Sequence, residues 1–181
     1  MALNYFTLVH VLISLVGIAA GFGVLAGLIA GRLLSRWTTV FLAFTAATSV
    51  TGFFFPFNGI TPGIVIGVIS MFTLAITSYA LYARQLAGPW RTGFVVNAVL
   101  SQYFNCFVLI AQLFQKMPAL AEIAPNQSGP AFALTQASML IAFIVLGWTA
   151  LRRFAASPAL PSDVKSVEVI VAVAETSSEL S

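Results

Sequence analysis

Few side chains in this 181-residue chain have chemical potential: one histidine, one cysteine, four methionines and a scatter of amides and hydroxyls. His10 and Ser14 stand four apart, so on a helix they share one face and have the spacing of a base and a nucleophile. That pair lacks its supports. No carboxylate precedes Glu122, so nothing nearby in sequence can orient the imidazole, and no oxyanion donor is identifiable; a neutral, hydrogen-bonded histidine is the simpler expectation. His10, Met71, Cys106 and Met139 have the softness of a copper ligand set, but no local spacing groups them. One histidine cannot give bis-imidazole haem ligation within one chain, so haem would need methionine or a second copy. A lone Cys106 excludes an intrachain disulfide and any zinc site of the CxxC type.

The amides are more concentrated. Asn97, Ser101, Asn105, Gln112 and Gln115 fall within an arc of about 80° if their segment is helical. Such a stripe cannot face lipid cheaply, which leaves two readings: a hydrated cavity or polar ligand site, or hydrogen-bonded contacts between helices. Gln102 and Cys106 lie off the arc, toward other neighbours. His10, Gln112 and Gln136 lie at a similar depth, with Met71, Asn105, Cys106 and Met139 somewhat deeper; converging faces would make a pocket open to the outside. The candidate binding residues are therefore His10, Ser14, Asn105, Gln112 and Gln136, with no catalytic or metal-binding residue assigned and no cofactor named.

The segments that carry these residues are membrane-like. Trp37 to Ala83 is a run of 47 residues without Asp, Glu, Lys or Arg. A hydrocarbon core of roughly 30 Å takes about 20 helical residues, so the run holds two crossings and a turn at Pro56-Phe57-Asn58-Gly59-Ile60-Thr61-Pro62. Further uncharged stretches predict an all-α polytopic transmembrane bundle of five helices, at about 5–31, 37–55, 63–83, 93–115 and 131–151 within the usual boundary error. Pro56, Pro62, Pro89, Pro118, Pro125 and Pro130 all fall between spans. With 60% hydrophobic and 7% charged residues and a mean hydropathy of +1.00, the chain is one membrane domain, and its net charge of +3 brackets apolar spans rather than forming a nucleic-acid face. The first 31 residues have no basic n-region and are too long an apolar run for a cleaved signal peptide. The spans hold no ionisable acid or base apart from His10, Cys106 and tyrosines, which removes the usual proton relay and voltage sensor. An odd helix number argues against a simple inverted-repeat transporter.

Arg32, Arg36, Arg84, Arg91, Arg152 and Arg153 flank one set of helix ends and only Lys116 the other, which predicts the N-terminus outside and the C-terminus in the cytoplasm. Trp37, Trp90 and Trp148 lie beside those arginines, where an indole prefers the headgroup region. The outer surface is then the 56–62 turn and the loop Lys116 to Pro130, which contains Glu122 and a weak N-glycosylation pattern at Asn126. The transmembrane domain is placed at 1–153. Residues 154–181 form a Pro- and Ser-containing acidic tail, expected to be cytoplasmic and disordered despite the alternation of Val167, Val169, Val171 and Val173.

In lipid, helices associate through small residues and interhelical hydrogen bonds. His10, Ser14, Gly17 and Gly21 make one such face of the first helix; Gly23, Gly27 and Gly31 make another, available to a second copy of the chain. Thr38, Thr45, Thr48, Ser49 and Gly52 share a side of the second helix. Gly63, Gly67, Ser70 and Thr77 do so on the third, and Thr135, Ser138, Ala142 and Thr149 on the fifth.

The stretches TSVTGFFFPFNGITP (48–62) and FNCFVLIAQLFQKMPALAEIAPNQSGP (104–130) resemble a group of small, mainly proteobacterial integral membrane proteins to which no activity is attached. The resemblance runs from about residue 10 to 153. It implies a bacterial inner-membrane location and transfers no functional residue. Together these features predict a non-enzymatic membrane protein binding a lipid, a quinone or a partner membrane protein at its outer half. The second reading is a small channel or carrier for an uncharged or weakly polar solute lined by the fourth helix, and a haem or copper redox subunit is the third.

Overall fold

The computed structural model describes residues 2–55 and 62–156. Every regular element among them is helical: α1 Ala2–Ile29, α2 Ser35–Gly52, α3 Pro62–Ser78, α4 Pro89–Lys116, α5 Pro118–Ile123 and α6 Pro130–Ala150. The five long helices match the five expected segments, with α4 opening four residues early. Proline explains the shift. At the first position of a helix its missing N–H has no partner to lose, so Pro89, Pro118 and Pro130 start helices instead of merely separating them. The loop from Lys116 to Pro130 is correspondingly more ordered than a bare connection, with α5 followed by a tight turn over Pro125–Gln127. The 56–61 part of the expected turn and the tail from 157 onward lie outside the described residues.

Four stretches, Tyr5–Ile29, Gly63–Ala83, Pro89–Lys116 and Pro130–Ala155, are long and apolar enough to cross a membrane. The protein is thus a helical, multi-pass membrane bundle. α2 is not one of the four: its 18 residues include five threonines, two serines and Arg36. Its path is nonetheless tied to that of α1. A Cβ at Gly27 would come within 2.8 Å of Leu34, one at Gly23 within 2.7 Å of the Trp37 ring, and one at Gly17 within 3.4 Å of Thr45. His10 reaches Thr51. As one number falls the other rises, so α2 runs antiparallel along α1. The Gly23 and Gly27 face, expected to be free for a second copy, is occupied by α2 and the link before it.

The same logic orders the remaining helices. Thr73 meets Ser101 and Tyr79 meets Trp90, which makes α3 and α4 antiparallel. Phe114 pairs with Phe132, Tyr103 with Phe143 and Phe94 with Phe154, so α6 descends along α4. The result is an up-and-down bundle with all six described arginines at one end, and Lys116 and Glu122 at the other. At the arginine end α3 and α6 each close in a widened turn, Tyr79–Ala83 and Leu151–Ala155, with N–H to C=O bonds five residues back (Arg84 to Tyr79, 3.0 Å; Ala156 to Leu151, 3.2 Å). Phe154 in the second of these turns is 1% exposed. The bundle therefore includes this turn, and the domain limit drawn at 153 falls inside it.

α6 turns its expected seam outward. Thr135, Ser138 and Ala142 are exposed, and the helix packs instead through Gln136, Met139, Phe143, Leu146 and Ala150.

Candidate functional site

α4 is the hub of the bundle, and a polar belt within two of its turns ties it to each of the other long helices. Ser101 Oγ and Thr73 Oγ1 of α3 are 2.8 Å apart. Gln102 donates through Nε2 to the Ile18 carbonyl of α1 at 3.0 Å. Asn105 Nδ2 donates to Thr45 Oγ1 of α2 at 3.0 Å. Gln136 Nε2 of α6 donates to the Phe107 carbonyl at 3.2 Å. A helix surface advances 100° per residue, so Gln102 points about 100° away from Ser101, whereas Ser101 and Asn105 lie about 40° apart on one face and still reach different helices, α3 and α2.

This arrangement divides the expected stripe. Ser101 is fully buried and Asn105 half-buried, and both are committed to side chains of adjacent helices. Asn97 turns back to its own helix, donating to the Gly93 carbonyl at 2.8 Å. Gln112 and Gln115 are exposed. The belt's most buried amide is Gln102, 1% exposed, which lies off the arc. Its carboxamide rests directly on Gly21 of α1. The available signal was this complement: the lone long polar side chain off the stripe, opposite a glycine in a small-residue face. Of the α1 face His10, Ser14, Gly17 and Gly21, Gly21 meets α4, whereas His10 and Gly17 meet α2. Ser14 donates to the His10 carbonyl within its own helix at 2.7 Å.

Hydrogen-bond arithmetic assigns the His10 tautomer. Thr51 has one hydroxyl proton, and its oxygen lies 2.7 Å from the Ala47 carbonyl, which can only accept. The 2.7 Å contact between His10 Nδ1 and Thr51 Oγ1 therefore takes its proton from the imidazole. Nδ1 donates, which in a neutral imidazole leaves Nε2 its lone pair; the ring edge also packs on Phe55, with centroids 5.1 Å apart. Nitrogen NMR of the detergent-solubilised protein should show an Nδ1–H tautomer, and Thr51→Val should shift that signal. An Nε2–H tautomer in the parent protein would refute the assignment.

Some buried polar atoms have no hydrogen-bond partner among the described residues: Thr48 Oγ1, Gln102 Oε1 and Gln136 Oε1. For Gln102 the oxygen lies over the Gly21 backbone, where a Cα–H is a weak donor. The softer atoms occupy separate settings. Cys106 Sγ is 3.7 Å from Gln102 Nε2, Met139 packs against the core, and Met71 lines a shallow recess of about 260 Å³ with Phe53, Val68, Phe72 and Ala75. Among the described residues no three His, Cys, Asp or Glu side chains are grouped as metal ligands.

A larger recess, about 620 Å³, opens at the end of the bundle opposite the arginines. Phe114, Gln115, Lys116, Ala121 and Gln127 line it. Gln127 adopts a positive φ of 58° and donates to the Ala111 carbonyl at 2.9 Å, which pins the returning loop against α4. Of the five residues proposed from sequence, none lines this recess; Gln112 stands one turn away on the same helix. Comparison with known proteins finds no matching family, no similar curated protein and no similar solved structure.

Proposed function

We propose that this chain is an integral protein of the bacterial inner membrane with five crossings, its N-terminus outside and its C-terminus cytoplasmic, and that it binds its ligand without transforming it. The antiparallel course of α2 along α1 supports the fifth crossing, because a helix that retraces a spanning helix spans with it. Its threonines do not face lipid unaided: Thr38 and Thr45 are buried. The arginine distribution supports the orientation.

The observation that carries the binding reading is the 620 Å³ recess at the outer end. Lys116 and the Gln115 carboxamide offer N–H donors at a membrane boundary, suited to a phosphate or carbonyl oxygen. A lipid headgroup or a quinone has such an oxygen and an apolar body to lie against the exposed spans. The hydrogen bonds that engage Ser101 and Asn105 weigh against a hydrated path along α4, the carrier alternative.

Mass spectrometry of the protein purified in mild detergent should find a retained lipid or quinone that Lys116→Gln releases. Retention unchanged by that substitution would refute the site. In a Cys106→Ala background, a cysteine at position 115 should react with a water-soluble maleimide and cysteines at 101 and 105 should not. Labelling at 101 and 105 would favour the carrier.

A further inference from the structure

Six of the eight basic residues gather at the end opposite that recess, where α1 meets α2, α3 meets α4 and α6 closes. The described residues contain one acid, Glu122, at the far end. Two arginines there top similar vertical strips. In the widened turn that closes α6, Arg152 lies with its Cζ 4.6 Å from the Trp148 ring centroid. Trp148, Val145 and Ile141 follow at steps of four, three and four residues, which places them on one face, and they are 57%, 58% and 62% exposed. Just past the widened turn that closes α3, Arg84 lies with its Cζ 5.6 Å from the Trp90 ring centroid, and that ring meets Tyr79 edge-on at 5.0 Å. Tyr79, Ile76 and Phe72 continue down one face, all exposed.

Each strip thus reads, from the end of the bundle inward, guanidinium, aromatic ring, apolar surface. A guanidinium over an indole ring, a cation–π contact, still offers an N–H edge to a phosphate. The indole sets that edge at headgroup depth, and the apolar residues below it match acyl chains. We propose that Arg84 with Trp90 and Arg152 with Trp148 form two seats for anionic phospholipids. A soluble anion would use the guanidinium and leave the apolar strip without purpose.

The test uses the full chain in phosphatidylcholine nanodiscs, with and without phosphatidylglycerol, reading the lipids retained on release by native mass spectrometry. Each arginine should contribute about fivefold to the preference for phosphatidylglycerol, so Arg84→Gln with Arg152→Gln should lower it about 25-fold. Lysine at both positions should preserve part of it through charge alone. An unchanged preference in the double glutamine variant would overturn the proposal. So would inorganic phosphate displacing the bound lipid, which would identify a soluble-anion site. Both arginines are exposed, and if the double variant fails to fold, Arg152→Gln alone, with an expected fivefold loss, decides the α6 seat.

Discussion

Gly21→Ala should destabilise the bundle by about 1–3 kcal/mol, although alanine is the better helix former by about 1 kcal/mol. The added methyl group would overlap the Gln102 carboxamide. A long side chain at a surface would swing aside, but Gln102 is 1% exposed and its amide holds the Ile18 carbonyl. Moving it breaks that bond between α1 and α4 and leaves another buried polar group unpaired, which adds to the cost of overpacking. A double-mutant cycle isolates this cause. With Gln102→Ala already in place the methyl group has room, and the same Gly21→Ala change should become neutral or stabilising. Gly93→Ala is the control, because nothing lies within 4 Å of a Cβ there; it should stabilise by up to about 1 kcal/mol. Thermal unfolding in one detergent measures all five proteins, the parent included. A Gly21→Ala cost that persists unchanged without Gln102 would show that some other contact sets it.

Phe154→Ala should be as damaging, at about 2–4 kcal/mol, even though it lies next to the tail. Its ring is buried between the Phe94 ring, centroids 6.2 Å apart, and the Arg91 guanidinium, 4.5 Å away. Arg91 is itself 9% exposed, so the ring provides a π face to a cation largely removed from water. Removing it leaves a cavity where α6 closes on the start of α4. Ile144→Ala is the contrast: Ile144 is 61% exposed and faces lipid, which replaces the lost methyl contacts, so its effect should stay within about 0.5 kcal/mol. Equal midpoints for the two variants would refute the packing role. A chain ending at 153 should be destabilised like Phe154→Ala, whereas one ending at 156 should retain the midpoint of the full chain.

These effects separate what was legible in the residues from what needed the packed bundle. The all-helical character was legible because a lipid environment requires internally satisfied backbone, so long uncharged runs have few alternatives to helix. Proline positions then located the ends to within a few residues. The gathering of the arginines followed from the same alternation of spans and links. Which face of each helix turned inward was not legible, because the driving force is close packing, and lipid competes for apolar side chains on equal terms. The small-residue stripe of α6 has the composition of a seam yet faces outward, while the Gly23 and Gly27 stripe closes on Trp37 and Leu34. The amide stripe of α4 marked a polar helix correctly, but an arc on one helix says nothing of who sits opposite. Ser101 and Asn105 found partners on α3 and α2, Gln112 and Gln115 found none among the described side chains, and Gln102, off the arc, became the buried contact with α1.

By itself the sequence determined a helical membrane bundle, because apolar length and the placement of charge are properties of one chain in a bilayer. Tertiary structure decided the belt at 101–107, the recess beside Lys116 and the contact of Arg84 with Trp90, because each depends on distances between helices. Those distances are set by which side chain meets a glycine, and that is a property of the pair.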